Sequence, residues 1–231
     1  MKSWKTKSGY EIKRLIYGRS NVFLLTSDNK RILVDTSPGV YWKKLEKKIE
    51  KYSNGRIDIL ILTHAHFDHA YNTIRIKEKY KSSVYIHCNE ADKLLNGENP
   101  ETNGSNIMTK IITSLFGKTF MRMKNYHGCS ADVMVYDRYD FEVEGLHAYL
   151  IHTPGHSAGS MSLIIDNEIA IVGDCLFGVF KTSVFPPFVT SPQDLTASWC
   201  RLIETGCSIF LPSHGNEKTR NQLIKDYIRH K

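Results

Sequence analysis

Short apolar runs punctuate the chain, and each is closed by a turn signal. They read VFLLT, RILVDTSPG, IDILILTH, SVYIHCN, AYLIHTPGH, SLIID, IAIVGD and SIFLPSHG. Their length and their Ile, Val, Leu and aromatic content predict buried strands. SDNK between VFLLT and RILVD, and DNE between SLIID and IAIVG, read as hairpin turns. Helical spacing fills the intervals. YWKKLEKKIEKY sets Trp42, Leu45, Ile49 and Tyr52 on one face and lysines elsewhere. SPQDLTASWCRLIETG opens with Ser191 as N-cap, Pro192 at the first helical position and Asp194 as a short-armed capping-box acid, and Gly206 stops it. NEKTRNQLIKDYIRHK predicts a C-terminal helix with Leu223, Ile224, Tyr227 and Ile228 inward.

The middle of the chain differs. From about residue 97 to 127 there is no strand signal, and Ile107, Met108, Ile111, Ile112, Leu115 and Phe116 form a helical stripe. The stripe predicts a core helix or a helical lid over a site, since methionine and phenylalanine make adaptable walls. No repeat, low-complexity tract or linker-like break appears, so residues 1–231 read as one α/β domain.

Composition narrows the class. The apolar and charged fractions, 41% and 24%, are those of a globular protein. The five cysteines form no CxxC pair, the N-terminus lacks the apolar core of a secretory signal, and no apolar run is long enough to span a bilayer. A cytoplasmic protein with reduced thiols and no membrane contact is expected. The formal net charge is +7, partly from KSWKTKSGYEIKR. Such a surface attracts anionic partners. No basic cluster is interleaved with aromatics, however, so a small-molecule substrate is expected ahead of nucleic acid.

The chemistry gathers where strands end. THAHFDHA follows IDILIL and packs His64, His66, Asp68 and His69 into a few residues. In extended chain His64 and His66 point to the same side and can grip one ion. Asp68 and His69 lie beyond, where the chain must turn, and point toward a second ion. Catalytic zinc takes three protein ligands plus water, so each pair needs a further ligand. His156 in HTPGHSAGS, Asp174 in IVGDCLF and His214 in FLPSHGN each follow an apolar run beside glycine or proline.

HxHxDH after a strand, then TPGHS, then GD, then SHG, resembles the metallo-β-lactamase superfamily. ILVDTSPG, with Asp35, resembles its first motif, so the resemblance runs from Asp35 to His214. It implies a four-layer αββα sandwich of two mixed β-sheets with the metals at one edge. It implies a first metal on His64, His66 and His156, a second on Asp68, His69 and His214, and Asp174 bridging them. Asp35 would sit behind the ligands and orient one of them or their loop.

True β-lactamases of the commonest kind carry cysteine where this chain has Asp174. Cys175 follows, and neighbours on a strand face opposite ways, so only one of them reaches the metals. A bridging carboxylate suits the dinuclear hydrolase branches, and Cys175 is expected to be a packed thiol.

The resemblance implies two divalent ions, Zn2+ ahead of Mn2+ or Fe2+, about 3.5–4 Å apart and sharing a hydroxide that attacks an ester, thioester or lactone. Asp68 is the expected proton acceptor. GVFKTSVFPPF, after Asp174, offers Lys181, Phe185 and Phe188 as substrate contacts. His87, His127 and His152 are read as core or surface histidines. The rival readings are a phosphodiesterase or nuclease, favoured by the charge, and an oxidoreductase resembling mononuclear-iron persulfide dioxygenases, which would leave several ligands idle. Only one short helix is expected after His214, which argues against a glutathione thioester.

Overall fold

The computed structural model describes residues 1–101, 104, 125–142 and 145–231. The predicted stripe from Ile107 to Phe116 lies outside the described residues.

The first half builds one sheet. Its strands are β1 (Ser3–Lys5), β2 (Glu11–Ile16), β3 (Val22–Thr26), β4 (Arg31–Val34), β5 (Ile59–Ile61), β6 (Ser83–His87) and β7 (Val133–Val135). They lie side by side in chain order, antiparallel as far as β4 and parallel from β4 to β7. The second sheet has the order β13-β12-β11-β10-β9-β8. Its strands are β8 (Arg138–Asp140), β9 (Ala148–His152), β10 (Met161–Ile165), β11 (Ile169–Gly173), β12 (Ile209–Pro212) and β13 (Lys218–Thr219). Only β11 and β12 are parallel there. The described helices are α1 (Trp42–Ser53), α2 (Phe67–Ala70), α3 (Thr73–Tyr80), α4 (Cys88–Asn96), α5 (Pro192–Glu204) and α6 (Arg220–His230).

Continuous apolar runs arise because both faces of each sheet are covered. Side chains alternate along a strand. Phe23 and Leu25 of β3 join Ile32, Ile61, Leu150, Leu163 and Ile171 in the core between the sheets. Val22 and Leu24 point the other way, onto Leu45 and Ile49 of α1 and Ile76 of α3. In the second sheet Ile164, Ala170 and Val172 pack outward against Leu195, Trp199 and Leu202 of α5 and Leu223 of α6. The result is helices, sheet, sheet, helices: two mixed sheets between two helical layers, as expected.

Local signals fall where the sequence predicts them. The Ser191 hydroxyl accepts from Asp194 N at 3.2 Å. DNE turns with Asp166 at φ 54° and Asn167 at φ 53°, the left-handed pair a tight hairpin needs. KSWKTKSGYEIKR, read only for its charge, forms the edge strand β1 and its neighbour β2. The C-terminal helix departs from expectation. Ile228 is 69% exposed. The C-terminal helix starts only at Arg220, capped by a reciprocal Thr219–Gln222 box, and turns Leu223 inward as expected, with Asp226 buried beside it. None of the described helices is long and apolar enough to cross a membrane.

Candidate metal centre

The predicted ligands meet at one edge of the sandwich because each sits just past a strand. His64 to His69 follow β5, His156 follows β9, Asp174 follows β11 and His214 follows β12. The chain stays extended through His66, at φ −65° and ψ 147°, then enters α2, whose first turn carries Asp68 and His69. This change from extended to helical backbone splits the motif into two pairs.

Ligand atoms fall into three overlapping groups, each lying within 4.8 Å: His64, His66 and His156; His64, His69 and Asp174; and Asp68, His69 and His214. Asp174 stands between the two triads. Its carboxylate oxygens lie 3.7 Å from His69 Nε2, 3.6 Å from His156 Nε2 and 3.1 Å from His214 Nε2. The geometry therefore brings together all seven residues expected as ligands.

Each buried histidine is held by its rear nitrogen. His69 Nδ1 donates to Asp35 Oδ2 at 2.8 Å. His156 Nδ1 donates to the Phe188 carbonyl at 2.9 Å, and His66 Nε2 to the Pro100 carbonyl at 3.2 Å. His64 Nδ1 lies 3.1 Å from Thr63 Oγ1. That hydroxyl gives its own proton to Asp35 and so accepts from the imidazole. A proton fixed on the rear nitrogen leaves the lone pair of the other nitrogen facing the cluster.

A metal fits this arrangement. His64 Nε2, His69 Nε2 and Asp174 Oδ1 are buried and have no hydrogen-bond partner. Orphaned polar atoms of this kind cost free energy unless a ligand satisfies them. The donor set, imidazole nitrogens with carboxylates, suits a divalent first-row ion.

Asp35 is the hub behind the cluster. It accepts from Thr63 N at 2.8 Å, from His69 and from Ser213 Oγ at 3.0 Å, so three strand ends converge on one carboxylate. Its backbone is left-handed, at φ 61°, a conformation aspartate tolerates better than most residues. Gly173 makes the convergence possible. At φ 55° it runs so close to Thr63 that a Cβ would lie 2.7 Å from Thr63 Cβ.

Electrostatics divides the histidines. Burial, reinforced by neighbouring imidazoles, drives His64 and His66 well below the ordinary histidine range. For His69 burial acts downward too, but Asp35, Asp174 and Asp68 outweigh it and push the imidazole up to about 10. Asp174 is buried, which favours protonation, yet His214, His69 and His156 hold it far below the usual carboxylate range.

A family model for the metallo-β-lactamase superfamily matches residues 16–214. The chain belongs to that superfamily.

A probable metallo-hydrolase of Bacillus subtilis (strain 168) is 30% identical over 169 residues, covering 72% of this chain and 71% of the relative. A hydroxyacylglutathione hydrolase of Haemophilus influenzae is 28% identical over 171 residues, covering 73% and 72%. Among solved structures, a metallo-β-lactamase family protein of Thermus thermophilus superposes with a TM-score of 0.70 at 18% identity, covering 95% of this chain and 79% of its own. That likeness bears on the fold alone.

Within this superfamily fold, Asp174 faces the cluster and Cys175 does not. Cys175 is fully buried with Trp199 and Leu176, and burial pushes its thiol up, as expected of a packed cysteine. The expected substrate contacts fare differently. Lys181 is exposed, and its carbonyl accepts from Gln222. Phe188 meets His156 through its carbonyl oxygen. Phe185 packs away from the ligand cluster, and its ring stacks on His230 with centroids 4.7 Å apart and meets Trp199 edge-on. The reason is Asp226, which accepts from Ser183 Oγ and Val184 N and anchors this part of the segment to α6. Phe177 takes the place expected of Phe185. Its ring centroid lies 5.5 Å from that of His214, with Phe180 beside it and Phe180 and Val179 open to solvent.

Two buried side chains escaped the sequence reading. Glu90 accepts from Ala65 N, Ser157 Oγ and Gly159 N, tying the HxHxDH loop to the TPGHS loop. Tyr126 donates to the Ala65 carbonyl at 2.8 Å. An acid in the first turn of α4 reads as a capping residue, so no local signal marked Glu90. His127 is exposed. His87 and His152 form a stacked pair behind the site, with ring centroids 3.8 Å apart.

Proposed function

We propose that this superfamily member is a dinuclear metal-dependent hydrolase, zinc-loaded, that cleaves a small ester-like substrate, with a thioester as the first choice. The observation that carries the reading is Asp174 lying between two triads, with its own Oδ1 and the inward nitrogens of His64 and His69 buried and without a hydrogen-bond partner. His64, His66 and His156 would hold one ion; Asp68, His69 and His214 would hold the other. Two bound divalent ions supply a hydroxide nucleophile at neutral pH and Lewis-acid polarisation of the carbonyl.

The chain's own groups do the rest. The rear hydrogen bonds of His64, His66, His69 and His156 aim their inward nitrogens at the cluster. Asp68 is partly open to solvent, its oxygens 3.8 Å from His69 Nε2 and 3.7 Å from His214 Nε2. Its carboxylate accepts a proton as the nucleophile attacks and returns it to the leaving group. Phe177 and Phe180 offer an apolar wall beside His214 for the acyl or thiol portion. The hydroxyacylglutathione hydrolase among the relatives acts on a thioester by its name, which supports the choice of substrate class.

The test is metal content with turnover. Two equivalents of zinc per chain and hydrolysis of a thioester, lactone or aryl ester are expected, with both reduced in His66→Ala. Asp68→Asn should keep substantial metal and lose about 10²–10⁴-fold in kcat, the usual range for a general base. Cleavage of a bis-aryl phosphodiester alone would replace the acyl reading with a phosphodiesterase. Stoichiometric iron and oxygen uptake with a persulfide would replace it with the oxidoreductase.

A further inference from the structure

Outside the ligand cluster the chain forms a concavity that the catalytic reading does not use. Phe67 lies between His66 and Asp68, and Tyr71 follows one helical turn later on the same face. A cavity of about 480 Å3 opens against these rings, lined also by Arg19, Gly39, Arg75 and Asn125. The wall is built to shape. A Cβ on Gly39 would lie 2.3 Å from Tyr71 Cε1, so only glycine lets that ring lie flush against the 38–39 backbone.

The cavity carries two guanidinium groups. Arg19 lies over Phe67, 5.6 Å from the ring centroid. Arg75 lies 5.6 Å from the Trp42 centroid and donates to Asn72 Oδ1 at 3.1 Å. Among the described residues no carboxylate comes within ion-pair distance of either. Other arginines find acids or carbonyl oxygens, as Arg56 finds Asp58, Arg138 finds Asp140 and Arg220 finds the Cys207 carbonyl. Aromatic faces and one neutral amide position the two side chains but leave most of their N–H donors open.

The geometry points to an oxyanion-binding subsite: Arg19 and Arg75 bind a carboxylate or phosphate on the substrate, and the Phe67–Tyr71 wall takes the apolar atoms next to it. Planar guanidinium forks favour such groups over neutral ones. Phe67 stands between His66 and Asp68 in sequence, so the wall of the cavity and the ligand cluster share one stretch of chain. This assignment rests on the hydrolase reading for the identity of the ligand as substrate, and the experiment separates the two.

Titration calorimetry of the metal-loaded protein with benzoate and with phenyl phosphate tests the subsite. At least tenfold weaker binding is expected in Arg19→Gln and in Arg75→Gln, with loss of measurable binding in the double variant. Whichever probe binds more tightly identifies the anion as carboxylate or phosphate. Absence of binding by the parent protein, or unchanged affinity in the double variant, overturns the subsite, because the anion would then be held elsewhere or not at all. Turnover of a thioester with a terminal carboxylate is compared with that of its carboxamide counterpart. The parent should prefer the carboxylate by tenfold or more in kcat/KM, and the double variant should bring the ratio near one. Arginine-dependent anion binding without turnover of either thioester, or of the lactone and aryl ester, sinks the hydrolase reading and leaves the subsite standing. Equal turnover of both, with anion binding independent of the arginines, does the reverse.

Discussion

Asp35 receives the Nδ1 proton of His69 at 2.8 Å while its other contacts come from Thr63 and Ser213. One buried carboxylate therefore sets the tautomer of an expected metal ligand and joins the ends of β4, β5 and β12. Asp35→Asn keeps the shape but places an amide N–H₂ against a site filled by donors. Metal affinity should fall about 10–100-fold, the usual effect of losing a partner behind a ligand. Competition with a chromophoric chelator measures it. Unchanged affinity in a folded variant would show that Asp35 does not orient His69.

Gly173 and Thr63 set a second condition. Gly173→Ala places a methyl 2.7 Å from Thr63 Cβ and 2.9 Å from its Oγ1, at φ 55°. The left-handed backbone alone costs about 1–2 kcal/mol for a residue with a Cβ. The clash adds to this and displaces the hydroxyl that accepts from His64. The variant should lose about 2–4 kcal/mol in urea unfolding together with metal affinity. Adding Thr63→Ser removes only Cγ2, which would lie 3.2 Å away, and keeps the closer Cβ and Oγ1, so little recovery of either loss is expected. Substantial recovery would place the damage in the methyl contact instead.

Glu90 should matter more to stability than its place in an α4 capping position suggests. Glu90→Ala strands the N–H groups of Ala65 and Gly159 in the interior, at about 1–3 kcal/mol each. A drop of about 2–5 kcal/mol in unfolding free energy is expected. Glu90→Gln retains one acceptor oxygen and should lose less. Equal losses in the two variants would indicate that the charge, not the paired donors, is what the site requires. Burial pushes this carboxyl upward, and its three donors oppose that shift.

These residues mark the boundary of what was legible in the sequence. The strand runs were readable because both faces of each sheet are covered, so Phe23 and Val22 are buried on opposite sides. The expected ligands were readable because four of them are local, in THAHFDHA, and the others each follow a strand. Glu90 was not readable. Its role exists only because α4 lies against two loops that begin at residues 63 and 153, and nothing in its own neighbourhood encodes that. Phe185 was assigned to the site by its distance from Asp174 along the chain. Its direction is decided by Asp226, which is remote in sequence. The edge strand β1 was obscured because a half-exposed edge tolerates the lysines that elsewhere signal loops.

The stacked pair His87 and His152 makes stability depend on pH. Burial, with His152 adding to it, pushes His87 down to about 4, against the hydrogen bond to the Tyr136 carbonyl and the charge of Asp137. Burial also lowers His152. The ordinary histidine value is about 6.5. The unfolded chain therefore takes up the proton first. The stabilisation is complete above about pH 6.5, is lost as the pH falls toward about 4, and is absent below that. His87 also accepts from Asn89 N as the cap of α4, the helix that carries Glu90, so protonation there loosens the tie between the two ligand loops. His87→Asn keeps a capping acceptor and removes the titrating ring. The urea midpoint of the parent should fall between pH 6.5 and 4 more steeply than that of His87→Asn. The expected ligands His64 and His66 are lowered in both proteins, so their contribution cancels in the difference. Parallel curves across that window would assign the acid sensitivity to the metal cluster and leave the stacked pair without a role in it.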